Sequence, residues 1–531
     1  MPATAKAERT EPTPAAEGSA HILATAKGGG FLAAGTVFEY AVRFLIGIVL
    51  ARGLGATDYG LYVLAISASS LFAGISLLGT DDAMVRYVAI RVGRDDPDGV
   101  AGTLQIGLGV AVAGGLVMGL VLFLLAEPIA TGLFERPEFA VVLRFFAFVV
   151  PFLSLSNTLL GMARGFKRMD AAAISQNGVQ SVVRLVLMVL LAVTGTLSLY
   201  PASIAFGVAD IAASLALIHF LNREFPLRHV LRPGARRDLR AIFGFALPLW
   251  LSGLMRQFRH NIQNVMLGVM ATVSNVGIFA VAGRINTVSD VATNSVYVAA
   301  RPAMAQLHDR KDRGPLQELY AATTRWTLTA NIPFFLPMVL IPQSLLLIFG
   351  EQFTAGEGAL VILACATMVN AATGTCQGML DMTGHTGVKL VNTIVNTLLL
   401  VGVGIWAIPR WDVVGAAAAS FVAVTIVNLG SLAEVWVLER LWPYDRTFIK
   451  PVVAGVLGLL GGLAVRAWMP IERPLPALIQ ASVVVAGYVG LLLALGMEPQ
   501  DRAIVDRGLL RIGQTARRGR AAVAARAGRS G

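Results

Sequence analysis

Arginines stand inside long apolar stretches of this chain, where charge is hard to accommodate. Arg43, Arg256 and Arg284 lie deepest, with Arg259 and His260 close to Arg256. A charge near the centre of a bilayer costs about 2.5–3.5 kcal/mol on insertion scales, so it ordinarily faces a cavity or a partner. Arg256 shares a helix face with Arg259 at i,i+3 and with His260 at i,i+4. Unpaired like charges at these spacings repel. A diphosphate would relieve that repulsion, because guanidinium forks match phosphate oxygens.

Other polar groups in the stretches have plainer readings. Glu39, four residues before Arg43, could simply neutralise it. Arg184 and Asp210, on neighbouring stretches, read as a structural ion pair. Arg144 and Arg325 sit near stretch ends and are expected to snorkel to the interface. Asp290 suits either a coupling ion or a polar mouth. Gln263, Asn264, Asn286 and Asn294 suit either a sugar-tolerant path or interhelical hydrogen bonds. Six histidines are scattered without metal-ligand spacing. No catalytic constellation can be assembled, so neither enzyme activity nor a metal or cofactor is expected.

The elements that carry these residues are membrane helices. The chain has 531 residues, 56% hydrophobic and only 14% charged. A soluble domain would carry roughly 25% charge. Fourteen apolar stretches are expected as helices over 31–52, 59–80, 101–126, 140–162, 171–194, 200–221, 241–266, 274–298, 322–349, 356–381, 387–408, 412–438, 447–468 and 475–496. Arg43 then lies about 18 Å up the first and Arg256 about 22 Å up the seventh; Arg284 lies about 15 Å down the eighth. In a core about 30 Å thick, all three are placed near the midplane.

The net charge of +11 does not point to nucleic acid. Alternate short segments and the C-terminal tail hold 31 of the lysines and arginines, and the opposite segments hold five. That asymmetry places both termini in the cytoplasm. Connections between helices run to about 20 residues at most, too short for a soluble catalytic domain. Cys365 and Cys376 are eleven residues apart, about 16 Å on a helix, too far for a disulfide.

A repeat at an offset of 217 residues places Tyr59-Gly60-Leu61-Tyr62-Val63-Leu64-Ala65 over Val276-Gly277-Ile278-Phe279-Ala280-Val281-Ala282. Gly161-Met162 falls over Gly378-Met379, and Arg43 over His260. Six helices separate the copies, so both have one orientation, related by an axis along the membrane normal. The expected organisation is a disordered cytoplasmic tail at 1–27 and a six-helix lobe at 28–222. A basic cytoplasmic linker at 223–240 leads to a second lobe at 241–438. Two added helices at 447–496 and a basic cytoplasmic tail at 497–531 follow. The fold class is thus an all-α polytopic membrane protein, with two parallel-repeat six-helix lobes around a central cavity plus two C-terminal helices.

The segment Ala51-Arg-Gly-Leu-Gly-Ala-Thr-Asp-Tyr-Gly-Leu-Tyr62 resembles the start of bacterial polysaccharide-biosynthesis flippases, as do Val276-Gly-Ile-Phe-Ala-Val-Ala282 followed by Arg284, and Leu160-Gly161-Met-Ala-Arg-Gly165. These are the oligosaccharide flippases of the multidrug/oligosaccharidyl-lipid/polysaccharide exporter superfamily. The resemblance implies movement of a polyprenyl-diphosphate-linked glycan from the inner to the outer leaflet of the bacterial plasma membrane by alternating access. By depth and helix-face position, Arg43, Arg256, Arg259 and Arg284 are the residues expected at the diphosphate, with Glu39, His260 and Asp290 as candidates for cavity or coupling roles. Polysaccharide polymerases or glycosyltransferases would be its neighbours in the pathway, and no nucleic acid is involved. A drug or metabolite extruder of the same superfamily is the alternative. It would favour intramembrane acids over this basic excess. A polysaccharide polymerase or ligase would need a long outer loop.

Overall fold

The computed structural model describes residues 14–230, 235–468 and 474–496. Every expected apolar stretch is helical, and no β-strand occurs among the described residues. In chain order the principal helices are α1 (Pro14–Leu77), α2 (Thr80–Val92), α3 (Pro97–Pro128), α4 (Phe139–Gly165), α5 (Met169–Val193), α6 (Leu199–Glu224), α7 (Leu239–Met270) and α8 (Val273–Asp309). They continue with α9 (Arg313–Leu340), α10 (Glu357–Thr373), α11 (Cys376–Met382), α12 (Thr386–Glu439), α13 (Ile449–Trp468) and α14 (Pro474–Ala494).

Two of these hold a pair of expected helices each. α1 breaks at Gly55, whose φ of 74° needs no Cβ clearance. The Gln352 side-chain oxygen accepts from the freed Ala56 N–H at 2.9 Å. α12 breaks at Asp412, φ 47°, beside an edge-on Trp406–Trp411 pair. The first helix begins at Pro14, inside the stretch read as a disordered tail, and the tail from 497 lies outside the described residues. Helix α2 replaces an expected loop; Asp81 and Asp82 occupy its first turn, where the helix dipole favours acids.

Among the described residues, nine helices are long and apolar enough to cross a membrane. The long helices that miss that measure are α7, α8 and α9, of 32, 37 and 28 residues. Polar residues, not length, set them apart. A membrane helix of that composition is best accommodated away from lipid, against protein or a hydrated path.

The chain forms two compact units. The first runs through Val291 and adds Leu346–Leu363 and Ile394–Ala423. The second takes Ala292–Leu345, Ala364–Thr393 and the chain from Val424. The core of the first includes Met84, Val88, Leu104, Leu159, Met162 and Leu217, where α2, α3, α4 and α6 meet. In the second, α13 and α14 pack on α9 through Leu328, Ile332, Leu336, Ala454, Ala481 and Tyr488. Gly455, Gly458 and Gly462 face Ile332, Leu336 and Leu340 in turn, so small residues on α13 receive branched ones on α9.

The repeat is visible in the packing. A Cβ on Gly60 would strike the Val273 carbonyl, and a Cβ on Gly277 would strike the Ala56 carbonyl. Each would stand 3.1 Å from the other glycine's backbone nitrogen. The pairs 60/277 and 56/273 both differ by 217. The two copies therefore touch each other with the same atoms, as a twofold contact requires. Within the first unit, Gly114 lies against Ser76. Within the second, the equivalent Asn331 donates to Thr293 at 2.9 Å. Gly161 lies against Asp81 in one unit and Gly378 against Tyr297 in the other, one residue out of strict register.

Gly60→Val is expected to destabilise the protein by about 1–3 kcal/mol through overpacking of two backbones. Gly109→Ala, with nothing within 4 Å of the new methyl, should leave it unchanged or slightly stabilised. Thermal unfolding of the two purified variants, side by side, checks this.

Candidate functional site

The seven residues singled out for a site role, and the expected structural pair Arg184 and Asp210, all fall in the first unit. The seven lie along α1, α7 and α8, and the arginines among them form two groups.

The first group gathers where α8 meets the early part of α1. Arg43 and Glu39 form an ion pair at 2.6 Å, so the simple neutralising reading of Glu39 describes the geometry. The Arg43 side chain is still 56% exposed. Arg284 reaches across from α8 and donates from Nη1 to the Arg43 carbonyl at 2.5 Å. Gly47 makes this possible, because a Cβ there would overlap the Arg284 Cδ and crowd its Nε and Nη1. No carboxylate pairs with Arg284 among the described residues. Its guanidinium is held in place by a backbone carbonyl while its charge stays uncompensated. Tyr62 lies within electrostatic reach of both Arg284 and Arg184.

Arg184 and Asp210 do meet, at 3.4 Å, and Asp210 is only 1% exposed. Gln180 donates to the other Asp210 oxygen at 2.6 Å. Gln180 ends a wide π-helical turn, Ile174–Gln180, inside α5. Such turns re-aim side chains and are frequent at functional sites.

The second group lies on α7. Arg256, Arg259 and His260 are all exposed, with no hydrogen bond or ion pair among the described residues. Asp81 at the start of α2 is the carboxylate within electrostatic reach of Arg256. The position of α7 follows from its contacts with α1. Trp250 donates to the Gly74 carbonyl at 3.1 Å, and Asn264 to Ser67 at 3.2 Å. Leu254 and Gln257 flank Gly74. Arg256 therefore stands level with Gly74, about 21 Å along α1 from the Gly60 crossing. Arg284 stands about 10 Å along α8 from the same crossing. The sequence reading gave these arginines one depth. The structure spreads them over roughly two helical turns, because α7 is offset along α1 by more than helix starts alone convey.

Asp290 is exposed on α8, without an ion pair among the described residues, and within electrostatic reach of Tyr40. Gln263 bonds to Ala416 O at 2.9 Å and to Ser420, and Asn264 to Ser67, so both have interhelical partners. One expectation is corrected outright. Arg325 does not snorkel: it is 7% exposed and held by Asp445 and Thr447. Arg144, 40% exposed, pairs with Glu127 at 2.6 Å near the end of a neighbouring helix. In both cases the partner comes from another element, which helix-end position alone could not reveal. Gly47 and Asp81 were missed by sequence reasoning. A glycine seat has no signature until its occupant is known, and Asp81 was read as part of a loop.

Residues 25–308 match the family model described as polysaccharide biosynthesis protein, and the chain belongs to that family. The protein named low-salt glycan biosynthesis flippase Agl15, from Haloferax volcanii, is 20% identical over 236 residues, 44% of this chain and 47% of its own. The chain spans about half the length of the curated relatives it matches. Among solved structures, the lipid II flippase MurJ in an inward closed conformation aligns over 90% of this chain and 100% of its own, at TM-score 0.69 and 14% identity. An inward-facing multidrug resistance MATE family transporter of the MOP superfamily aligns over 76% and 96%, at TM-score 0.62 and 18% identity. At such identities the likeness shows the fold: this is a polytopic membrane protein built like MOP-superfamily transporters.

Gly47→Ala should push the Arg284 guanidinium off its seat without changing any charge. Phenylglyoxal modification of Arg284, followed by mass spectrometry, should then run severalfold faster than in the unaltered protein. An unchanged rate would show that Gly47 does not hold this side chain in place.

Proposed function

We propose that this chain is a flippase that carries a polyprenyl-diphosphate-linked oligosaccharide from the inner to the outer leaflet for cell-surface glycan synthesis. One observation carries this reading. Arg256, Arg259 and Arg284 are guanidinium groups on the two least lipid-compatible stretches of the first unit, α7 and α8, and none has a carboxylate partner among the described residues. Uncompensated cations on polar membrane helices suit an anion, and diphosphate oxygens suit guanidinium forks. The family and the name of the glycan-flippase relative support the same substrate class.

In this mechanism no bond is made or broken. The headgroup enters between the arginines, the sugars occupy the polar path, and the prenyl chain stays in lipid. The six-helix lobes at 28–222 and 241–438 exchange access to the two leaflets by rocking. The backbone crossing at Gly60 and Gly277 is the part of the path where the copies must separate. Arg43 contributes after partial neutralisation by Glu39. His260 and Arg259 extend the basic surface of Arg256, and Asp290 lines the polar mouth. Both termini lie in the cytoplasm of a cell whose plasma membrane holds the protein, and the glycosyltransferases that build the lipid-linked glycan supply its substrate.

Reconstitution with a fluorescent lipid-diphosphate sugar tests this. Wild type should change the leaflet of the label, and Arg256→Ala/Arg284→Ala should slow transfer at least roughly tenfold, the scale of one or two charge-assisted hydrogen bonds. Normal transfer by the double variant would remove the site assignment. No transfer by wild type across several diphosphate lipids, with efflux of organic cations instead, would favour the extruder.

A further inference from the structure

Arg184 reads from sequence as half of a structural ion pair, yet its surroundings are unlike those of a saturated one. Each unmatched buried donor is costly, a cost that the Nε atoms of Arg144 and Arg325 also bear beside their carboxylates. In Arg184 one Nη reaches Asp210 at 3.4 Å, a long contact for two opposite charges. The Arg184 Nε is buried with no partner. The guanidinium carbon lies 4.1 Å from the Phe206 ring centroid, a cation–π contact that uses none of its donors. The side chain keeps 18% of its surface exposed, so it is reachable.

Asp210, by contrast, does not depend on Arg184 alone. Gln180 holds its other oxygen at 2.6 Å, and Arg43 lies within electrostatic reach of it. Asp210 would therefore keep a hydrogen bond and a nearby cation if Arg184 turned away. Arg184 also shares Tyr62 as an electrostatic neighbour with Arg284, and Tyr62 packs edge-on against Phe206 at 6.2 Å between ring centroids. Arg43, Arg184 and Arg284 thus lie in the same part of the first unit.

We infer that Arg184 is a further headgroup-binding residue, which exchanges Asp210 for a phosphate oxygen of a lipid diphosphate when the ligand arrives. The inference rests on the flippase reading and deepens it. Asp210 is then a positioning residue that holds Arg184 ready and competes with the ligand for it. The contact with Phe206 holds the guanidinium beside Asp210 while its partner changes.

The test uses the purified full-length protein in detergent, with geranylgeranyl diphosphate as the probe and geranylgeraniol as its uncharged counterpart. Asp210→Asn should tighten binding of the diphosphate, because the competitor is gone. Arg184→Gln/Asp210→Asn, which leaves no unpaired charge, should weaken it at least roughly tenfold. Binding of the alcohol should not change in either variant. In the unaltered protein the diphosphate should slow phenylglyoxal modification of Arg184 and the alcohol should not, a readout that needs no variant to fold. Wild-type affinity in the double variant, or Arg184 modification insensitive to the diphosphate, overturns the inference and leaves the flippase reading standing. If wild type binds alcohol and diphosphate alike, the headgroup reading itself fails.

Discussion

A guanidinium within a bilayer needs water, a carboxylate or a phosphate, and most of this structure is arranged around that requirement. Each intramembrane arginine meets it differently. Arg325 and Arg144 have carboxylates from other elements, and Arg43 has Glu39 one turn away. Arg184 has Asp210 on incomplete terms. Arg284 has only a carbonyl, and Arg256 and Arg259 have no partner among the described residues. The degree of compensation, more than the count of arginines, separates structural cations from those available to a ligand. Helices α7, α8 and α9 are correspondingly too polar for lipid, and the first two carry the uncompensated charges.

The second constraint is close approach of backbones. Gly60 and Gly277 let two helices meet carbonyl to Cα at the point that relates the copies of the repeat. Gly47 plays a different part, since it clears room for the arm of Arg284 on α1. Gly455, Gly458 and Gly462 accept the branched side chains of α9. Without a hydrophobic force between helices in lipid, such contacts supply much of the association energy, through dispersion at short range. Small residues thus position the site as directly as the charged ones form it.

Much of this was legible in the chain itself. Apolar length placed helix under every expected stretch, because a span must satisfy its own backbone and match the bilayer, while the ends of α8 (Val273–Asp309) and α9 (Arg313–Leu340) lie well away from the expected bounds. The offset of 217 identified the repeat, because equivalent helices must present equivalent small residues at their crossings. The arginines in apolar stretches marked the polar helices α7 and α8, because charge enters hydrocarbon only with a purpose. Tertiary structure alone decided which arginine has a carboxylate partner. Ion pairs such as Arg325 with Asp445 join residues 120 apart, and the seat of Arg284 lies 237 positions from it at Gly47. It also decided that Arg256 and Arg284 stand at different levels, because the offset of one helix along another is set by side-chain packing and leaves no period in the sequence.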